Sequence, residues 1–288
     1  MYVPGTDIDG LQATLGTLRF GAVDAYGVAW RLQTLDGWDS PEVRAEFQDR
    51  EADHGAWASP VYLGARPITL AGVIEATDRG TLQAAMDRLS AAVALTDTTL
   101  TVWEQTPRQA TVRRSGKLLK QYVSDRVANW SALVTAADPR LYEVDQQTGT
   151  TGLPAATGGL SFPATFPVTF SATTVSGQII ADNAGSVGTR PVLTITGPVS
   201  APSVSALYPD GSVRQLLYSL DLAAGDSLVI DIDAHSVLLT GGVSRRRFLN
   251  VSGGWPSIPA GASVAFQFQG ATYNPTAQLT VSWRSAWM

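Results

Sequence analysis

The chain has 288 residues, enough for one large or two ordinary domains, and contains no cysteine, which excludes disulfides and thiolate metal sites. The formal net charge of −5 gives no electrostatic basis for general nucleic-acid binding. No apolar run approaches the ~20 residues of a membrane span, and the N-terminal sequence lacks the basic start and apolar segment of a signal peptide. We therefore expect no nucleic-acid binding, no membrane insertion, and folding in a reducing cytoplasm.

Residues 17–76 contain several strand-like runs, of which 66–75 is the clearest. Ile68, Leu70, Gly72 and Ile74 alternate there with polar or small residues, and a period of two is typical of a strand with one buried face. The intervening stretches 36–41 and 52–60 contain turn-forming residues and are predicted to be loops.

A single helix is predicted over residues 79–94. Asp78 is a suitable N-cap because its carboxylate can accept from the free amides of the first turn. Leu82, Met86, Leu89 and Val93 recur at helical spacing, which indicates one face packed on a sheet.

A hairpin arm is predicted over residues 108–123, with Ser115 and Gly116 as its turn. Its charges support two interpretations. They could keep an exposed strand edge soluble, or they could form an arm that reaches an acidic neighbour such as a repeated subunit. The cationic side chains are Arg108, Arg113, Arg114, Lys117 and Lys120.

The second half of the chain is predicted to be a separate β-sandwich. Residues 146–181 contain no charged side chain, and Gly- and Pro-rich tracts of this kind connect domains. From 225 to 284, three blocks of alternating apolar and polar residues are separated by glycine and proline. We predict a mainly β protein with an N-terminal domain over 1–148, a linker over 149–165 and the sandwich over 166–288.

Catalytic and metal-binding signatures are weak. Residues 225–228 spell GDSL, a motif of one hydrolase family, but Ser227 precedes a predicted strand and no Asp-x-x-His pattern leads to His235. His54 and His235 stand apart from regular carboxylate spacings. We expect no catalytic residue, no metal site and no cofactor.

Several segments together resemble the distal tail protein family of long-tailed bacteriophages, also described as phage tail or minor tail proteins. The resemblance covers nearly the whole chain and lies in a capped helix after GARPITLAGVI, in the strand that ends in DPRLY at residues 138–142, and in the C-terminal strands. Its most specific residues include Asn183 and Gly185 ahead of Arg190 and Pro191.

The resemblance implies a structural role. It implies an N-terminal ring-forming domain with a split-barrel-like sheet, one helix and a long hairpin arm, followed by a galectin-like β-sandwich. The ring, usually a homohexamer, would lie in the virion at the siphovirus tail tip after assembly in the host cytoplasm. Implied partners are the tail tube protein, the tip hub protein, the tape measure protein and, in some cases, a receptor-binding protein. The candidate interface residues would be Arg113, Arg114, Lys117 and Lys120.

Two alternatives stay open at this point. A carbohydrate-binding sandwich at the tail tip that contacts the host cell wall is suggested by Trp255 and Trp287, because aromatic rings stack on sugars, although Trp283 fits a core position better. A hydrolase is suggested only by the GDSL tetrapeptide.

Overall fold

The computed structural model describes residues 10–157 and 173–288. The chain divides into two units, Met1–Val144 together with Met288, and Asp145–Trp287. The single α-helix in the described part has 14 residues, and no helix there is long and apolar enough to cross a membrane.

Unit 1 is built on one antiparallel sheet with the order β2-β1-β10-β11-β13-β9-β4-β3, with β12 paired to β13 and β14 to β11. The elements are β1 (Gln12–Leu15), β2 (Leu18–Phe20), β3 (Ala22–Val23), β4 (Ala29–Asp36), β5 (Val43–Arg44), β6 (Phe47–Asp49), β7 (Ala56–Ala58), β8 (Tyr62–Leu63), β9 (Arg66–Glu75), α1 (Arg79–Ala92), β10 (Thr98–Trp103), β11 (Arg108–Arg114), β12 (Leu119–Tyr122), β13 (Val127–Ala136) and β14 (Leu141–Glu143).

The two ends of this strand order meet at Gly21. β2 pairs with β1 and β3 pairs with β4, yet only Gly21 separates β2 from β3 in the chain. Gly21 has φ of 80°, and a Cβ atom at this position would lie 2.4 Å from the carbonyl oxygen of Leu11. Only glycine fits both the backbone angle and the space. The sheet therefore closes on itself, in agreement with the split-barrel-like sheet that the resemblance implies.

The barrel core follows the predicted alternation. In β9, Ile68, Leu70 and Ile74 are buried while the intervening residues are half-buried, which confirms the sequence prediction. Phe20 stacks on Trp130 with ring centroids 4.6 Å apart, so aromatic rings fill the space between strands.

The helix α1 begins and packs as predicted. The Asp78 carboxylate accepts from the Thr81 amide at 3.0 Å and from the Thr81 hydroxyl at 2.7 Å. Leu82, Met86 and Leu89 are buried. The hydrogen bonds from Thr81, followed by that from Thr77, lower the pKa of Asp78 from 3.8 to about 2.

This cap makes a pH-dependent contribution to stability. Because the folded pKa lies below the unfolded value, the contribution is present above pH 3.8 and is lost as the pH falls toward about 2. We expect Asp78→Ala to melt a few degrees below wild type at neutral pH, with a difference that closes over this acidic range. Thermal melts by circular dichroism measure it. Asp78→Asn is the control, since its amide oxygen still caps the helix but does not titrate; a difference between wild type and Asp78→Ala that is independent of pH would contradict the assignment.

The predicted hairpin over 108–123 is wrong in its turn. β11 and β12 do not pair with each other; both pair with β13, as Arg114 with Val134 and Leu119 with Ser131. Ser115 and Gly116 form a bulge between them, since both amides donate to the carbonyl of Leu133. In the hairpin that the structure shows, residues 112–122, interrupted by this bulge, form one side, β13 forms the other, and the turn lies at 123–126.

Unit 2 is a sandwich of a six-stranded sheet, order β15-β27-β19-β22-β23-β24, and a five-stranded sheet, order β18-β26-β20-β21-β25; β16 pairs with β17. The elements are β15 (Gln147–Gly152), β16 (Ala155–Thr157), β17 (Thr173–Val175), β18 (Gln178–Asp182), β19 (Val192–Thr196), β20 (Ser203–Leu207), β21 (Val213–Tyr218), β22 (Ser227–Asp231), β23 (Ser236–Leu239), β24 (Val243–Ser244), a short 3-10 helix (Arg246–Phe248), β25 (Leu249–Ser252), β26 (Ser263–Gln269), β27 (Gln278–Trp283) and β28 (Ala286–Trp287).

The sandwich core comes from the residues that alternate in the sequence. Leu228 and Ile230 of β22 and Phe266 and Phe268 of β26 are fully buried, and Trp283 of β27 is 7% exposed. Inward residues of the two sheets thus share one apolar core, which confirms the predicted sandwich.

The linker predicted over 149–165 is wrong at its start. Residues 149–152 belong to β15, which pairs along its whole length with β27. Threonine and glycine can form a strand at a sheet edge without any charged residue, so low charge alone did not indicate a linker. Residues 158–165 lie outside the described residues.

Candidate interaction surfaces

The predicted cationic residues lie on the first strand of the long hairpin. We call residues 108–126 the basic arm; it holds six basic residues and one acidic residue, a net charge of +5. Arg113 forms an exposed ion pair with Asp97 at 2.7 Å. Lys120 donates to the Ser90 hydroxyl at 2.8 Å, Arg114 donates to the Gly116 carbonyl at 2.8 Å, and Lys117 is exposed.

A groove of about 650 Å³ lies beside these contacts, lined by parts of 16–26 and 88–98. Asp24 lines it and accepts from Trp30 Nε1 at 2.9 Å and from Arg88 at 2.7 Å. Burial raises the pKa of Asp24, but hydrogen bonds from Trp30, Val28, Tyr26 and Arg88 outweigh burial and lower it below its ordinary value. Asp97 also lines the groove, so the ion pair between Arg113 and Asp97 connects the basic arm to the groove.

The segment 42–63 forms a narrow two-stranded ribbon, of which the sequence predicted only one side: 43–49 was a strand-like run, whereas 52–60, which contains β7, was predicted to be a loop. β5 pairs with β8 and β6 with β7, and in the described part of the chain these strands pair with no others. Phe47 is 69% and Trp57 is 65% exposed, although both are large apolar side chains. We call residues 42–63 the acidic hairpin, because five acidic and two basic residues give it a net charge of −3.

The two predicted sugar-contact residues are not placed as an open aromatic platform. Trp255 is half-buried and stacks on His235 with centroids 4.6 Å apart, and the Arg246 guanidinium lies over its ring at 4.9 Å. Trp287 is half-buried on β28, a different element. The carbohydrate alternative stays a prediction, and no described contact favours it.

The GDSL residues form a turn into a strand. Gly225 has φ of 88°, and the Asp226 carboxylate accepts from the Ala223 amide at 2.9 Å. Ser227 begins β22, where its amide donates to the Thr240 hydroxyl at 2.7 Å, while His235 stacks on Trp255. These bonds give the tetrapeptide a structural role. Among the described residues, no cluster of three or more His, Asp or Glu side chains is suited to a metal ion.

The DPRLY segment that contributes to the resemblance is held by a buried arginine. Arg66 is fully buried, and its guanidinium donates to the carbonyls of Pro139 at 2.8 Å, Trp38 at 2.5 Å and Gly37 at 3.3 Å. Asp138 accepts from the hydroxyl of Tyr142 at 2.5 Å. Burial first, and the neighbouring Asp138 charge second, raise the pKa of Tyr142.

Unit 2 also has a buried polar side chain that bonds several backbone groups, as Arg66 does in unit 1. This residue is Asn183, which is 2% exposed. Its Nδ2 donates to the carbonyls of Val187, Ile258 and Pro259, and its Oδ1 accepts from the amides of Gly185 and Ala286. At Gly185 a Cβ atom would lie 1.8 Å from the Ala286 carbonyl oxygen, so only glycine fits.

Solved structures of phage tail proteins share this fold over nearly the whole chain. The Dit protein (gp 19.1) of phage SPP1, described as a paradigm of the hub adsorption apparatus in phages that infect Gram-positive bacteria, matches with a TM-score of 0.61 at 12% identity, covering 96% of this chain and 99% of that chain. Two structures of the phage P2 baseplate in its activated conformation, with Ca and with Sr, match with TM-scores of 0.50 and 0.51 at 8% and 10% identity. They cover 92% and 94% of this chain and 99% and 97% of theirs.

No protein-family model and no curated protein sequence matches the chain. The likeness at these identities concerns the fold. The predicted resemblance to distal tail proteins is confirmed at that level.

Proposed function

We propose that this protein is a structural subunit of a bacteriophage tail tip or baseplate, where it forms a distal tail ring that joins the tail tube to the tip hub. The observation that supports this role is the extent of the fold likeness, which spans 96% of this chain and 99% of the SPP1 protein and therefore includes both units. The role requires shape and self-association rather than a chemical reaction.

In this proposal the ring is a homohexamer in the virion of a siphovirus, assembled in the host cytoplasm. Its neighbours along the tail are the tail tube protein and the tape measure protein on one side and the tip hub protein on the other, with receptor-binding proteins at the periphery. A closed ring requires two different patches on each subunit that fit each other. The basic arm and the acidic hairpin, which carry opposite net charges, are suited to that geometry.

The role in the particle can be tested on the phage that encodes the chain. Antibodies raised against the purified protein are expected to label virions at the tail end distal to the capsid in electron micrographs. Suppressing translation of the gene with an amber codon is expected to leave tails without a tip and to remove infectivity, with recovery in a suppressor host. Label on the capsid, or intact infectious particles without the protein, would contradict the role.

A further inference from the structure

We propose that unit 2 has a binding site for phosphate groups, and that its ligand is a polymer of polyol phosphodiesters from the bacterial envelope. Three segments form the site: the turn between β22 and β23, the short 3-10 helix, and the loop between β25 and β26. The phosphate chemistry follows from the contacts of these segments. The identity of the polymer also rests on the proposed place of the protein at the tail tip.

Three consecutive arginines at the 3-10 helix have no anionic partner within the described residues. Arg245, Arg246 and Arg247 form no ion pair there, whereas Arg190 of the same unit pairs with Asp233. Adjacent cations repel one another unless an anion lies between them. The segment is therefore suited to an anionic ligand.

Aromatic rings support two of these guanidinium groups. The Arg246 guanidinium carbon lies 4.9 Å from the ring centroid of Trp255, and that of Arg247 lies 4.5 Å from the ring centroid of Phe248. A guanidinium over an aromatic ring keeps the N–H groups at its edge available for bidentate bonds to an oxyanion. Arg246 Nη1 donates to the Leu249 carbonyl at 3.1 Å, which fixes the side chain further. Both arginines are exposed, so a phosphate can reach them.

His235 holds the same tryptophan although its own backbone is strained. Its φ is 51°, in the left-handed region that glycine adopts without strain. The His235 ring stacks on Trp255 with centroids 4.6 Å apart and an angle of 10° between the planes. A strained residue that persists in an exposed turn indicates a local function. We assign to His235 the positioning of Trp255 and, through it, of Arg246.

The loop that contains Trp255 is fixed on its other side by Arg214 and Tyr208. Arg214 donates to the Trp255 carbonyl at 2.7 Å, and its guanidinium lies 5.0 Å from the centroid of the Tyr208 ring. The Tyr208 hydroxyl donates to the Ser257 carbonyl at 2.9 Å and accepts from the Ser257 amide at 3.0 Å. The loop is thus held before any ligand arrives, and such preorganisation lowers the entropic cost of binding.

The charge distribution favours a flexible phosphate polymer over a nucleic acid. Residues 145–287 contain six arginines and seven aspartates, a net charge of −1. The unpaired cations are confined to a short segment and do not form the long basic stripe that a nucleic-acid duplex requires. A tail tip meets the bacterial envelope, where polyol phosphodiesters present phosphates at short intervals. A flexible polymer of this kind can place one or two phosphates between neighbouring arginines.

Titration with purified polyglycerol phosphate, followed by calorimetry at low salt, tests the site directly. We expect the wild-type protein to bind this polymer saturably, with an affinity that falls as salt is added, and not to bind uncharged dextran. Arg246→Gln with Arg247→Gln is expected to weaken binding about tenfold or more, because two charge-assisted contacts to phosphate are lost. Circular dichroism confirms that the variant is folded.

The control variant is Arg31→Gln with Arg79→Gln, which removes two exposed cations from unit 1 and changes the net charge by the same amount. It is expected to bind the polymer as wild type does. Equal weakening by the two double variants, or no binding of polyglycerol phosphate by wild type, would overturn the site. Stronger binding of duplex DNA or of phosphatidylglycerol vesicles, at equal phosphate concentration, would overturn the choice of polymer. The ring function is tested separately, by labelling and imaging without any ligand.

The positioning role of His235 has its own test. His235→Gly is expected to melt close to the wild-type temperature, because glycine relieves the strained φ while the stack on Trp255 is lost. The same variant is expected to bind polyglycerol phosphate several-fold more weakly, since Trp255 no longer holds Arg246 in place. A glycine variant that binds the polymer as tightly as wild type would overturn this role.

Discussion

Replacing Asn183 with aspartate is expected to lower the free energy of unfolding of unit 2 by about 4 kcal/mol. Each buried acceptor left unpaired costs about 1–3 kcal/mol. The Asn183 Nδ2 group donates to three carbonyls at 2.7–3.2 Å, and a carboxylate oxygen in its place would repel all three. The substitution changes neither size nor shape, so the loss would report the missing donor and the buried charge rather than a packing defect.

Denaturant unfolding followed by circular dichroism measures this loss. Asn250→Asp is the matched control, because Asn250 lies exposed on β25 of the same unit. We expect that change to stay within about 0.5 kcal/mol of wild type. An Asn183→Asp midpoint equal to that of the control would contradict the role given to this side chain.

Replacing Arg66 with methionine is expected to destabilise unit 1 by about 3 kcal/mol. Methionine fills the volume but leaves the carbonyls of Gly37, Trp38 and Pro139 without their donor. Burial lowers the pKa of Arg66, against the opposing charge of Asp39, so part of the loss is offset when the buried cation is removed.

The same substitution at Arg31 is the control. Arg31 pairs with Glu75 at 3.5 Å, and both side chains are 48% exposed. An exposed ion pair contributes at most about 1 kcal/mol, so Arg31→Met should unfold close to wild type. If the Arg66 and Arg31 variants lost equal stability in denaturant unfolding, the buried guanidinium would not be the anchor described.

Periodicity predicted the elements that bury one face. The β9 strand and the three C-terminal alternations were readable because a half-buried strand must place apolar residues at every second position. The helix could be predicted because an N-cap residue is followed by apolar residues at helical spacing. Asp78 and the residues from Leu82 to Leu89 lie as predicted.

The turn of the basic arm could not be read in this way. Ser115 and Gly116 suit a hairpin turn, but they suit a bulge equally, since both require a flexible backbone with few side-chain contacts. The choice depends on whether 119–122 pairs with 108–114 or with 128–131, and the pairing is made by a strand later in the chain. Local sequence contains no signal for that competition.

The acidic hairpin was predicted only in part: 43–49 was a strand-like run, but its partner strands were not predicted. Residues 52–60 read as a loop because they contain Gly55 and Pro60, and the three residues of β7 are too few to show a period. Neither face of the ribbon is buried by unit 1, so the usual apolar alternation is not required. Phe47 and Trp57 did not indicate an exposed ribbon, because in a sequence an exposed aromatic residue looks the same as a core one.

The central claim is that this chain acts by joining to copies of itself in a closed ring. Native mass spectrometry of the purified wild-type protein over a wide concentration range, with electron microscopy of the same samples, tests it most directly. We expect one discrete oligomer, with ring-shaped particles of uniform diameter that hold six copies. A chain that stays monomeric at every concentration, or that forms open filaments of unlimited length, would contradict it.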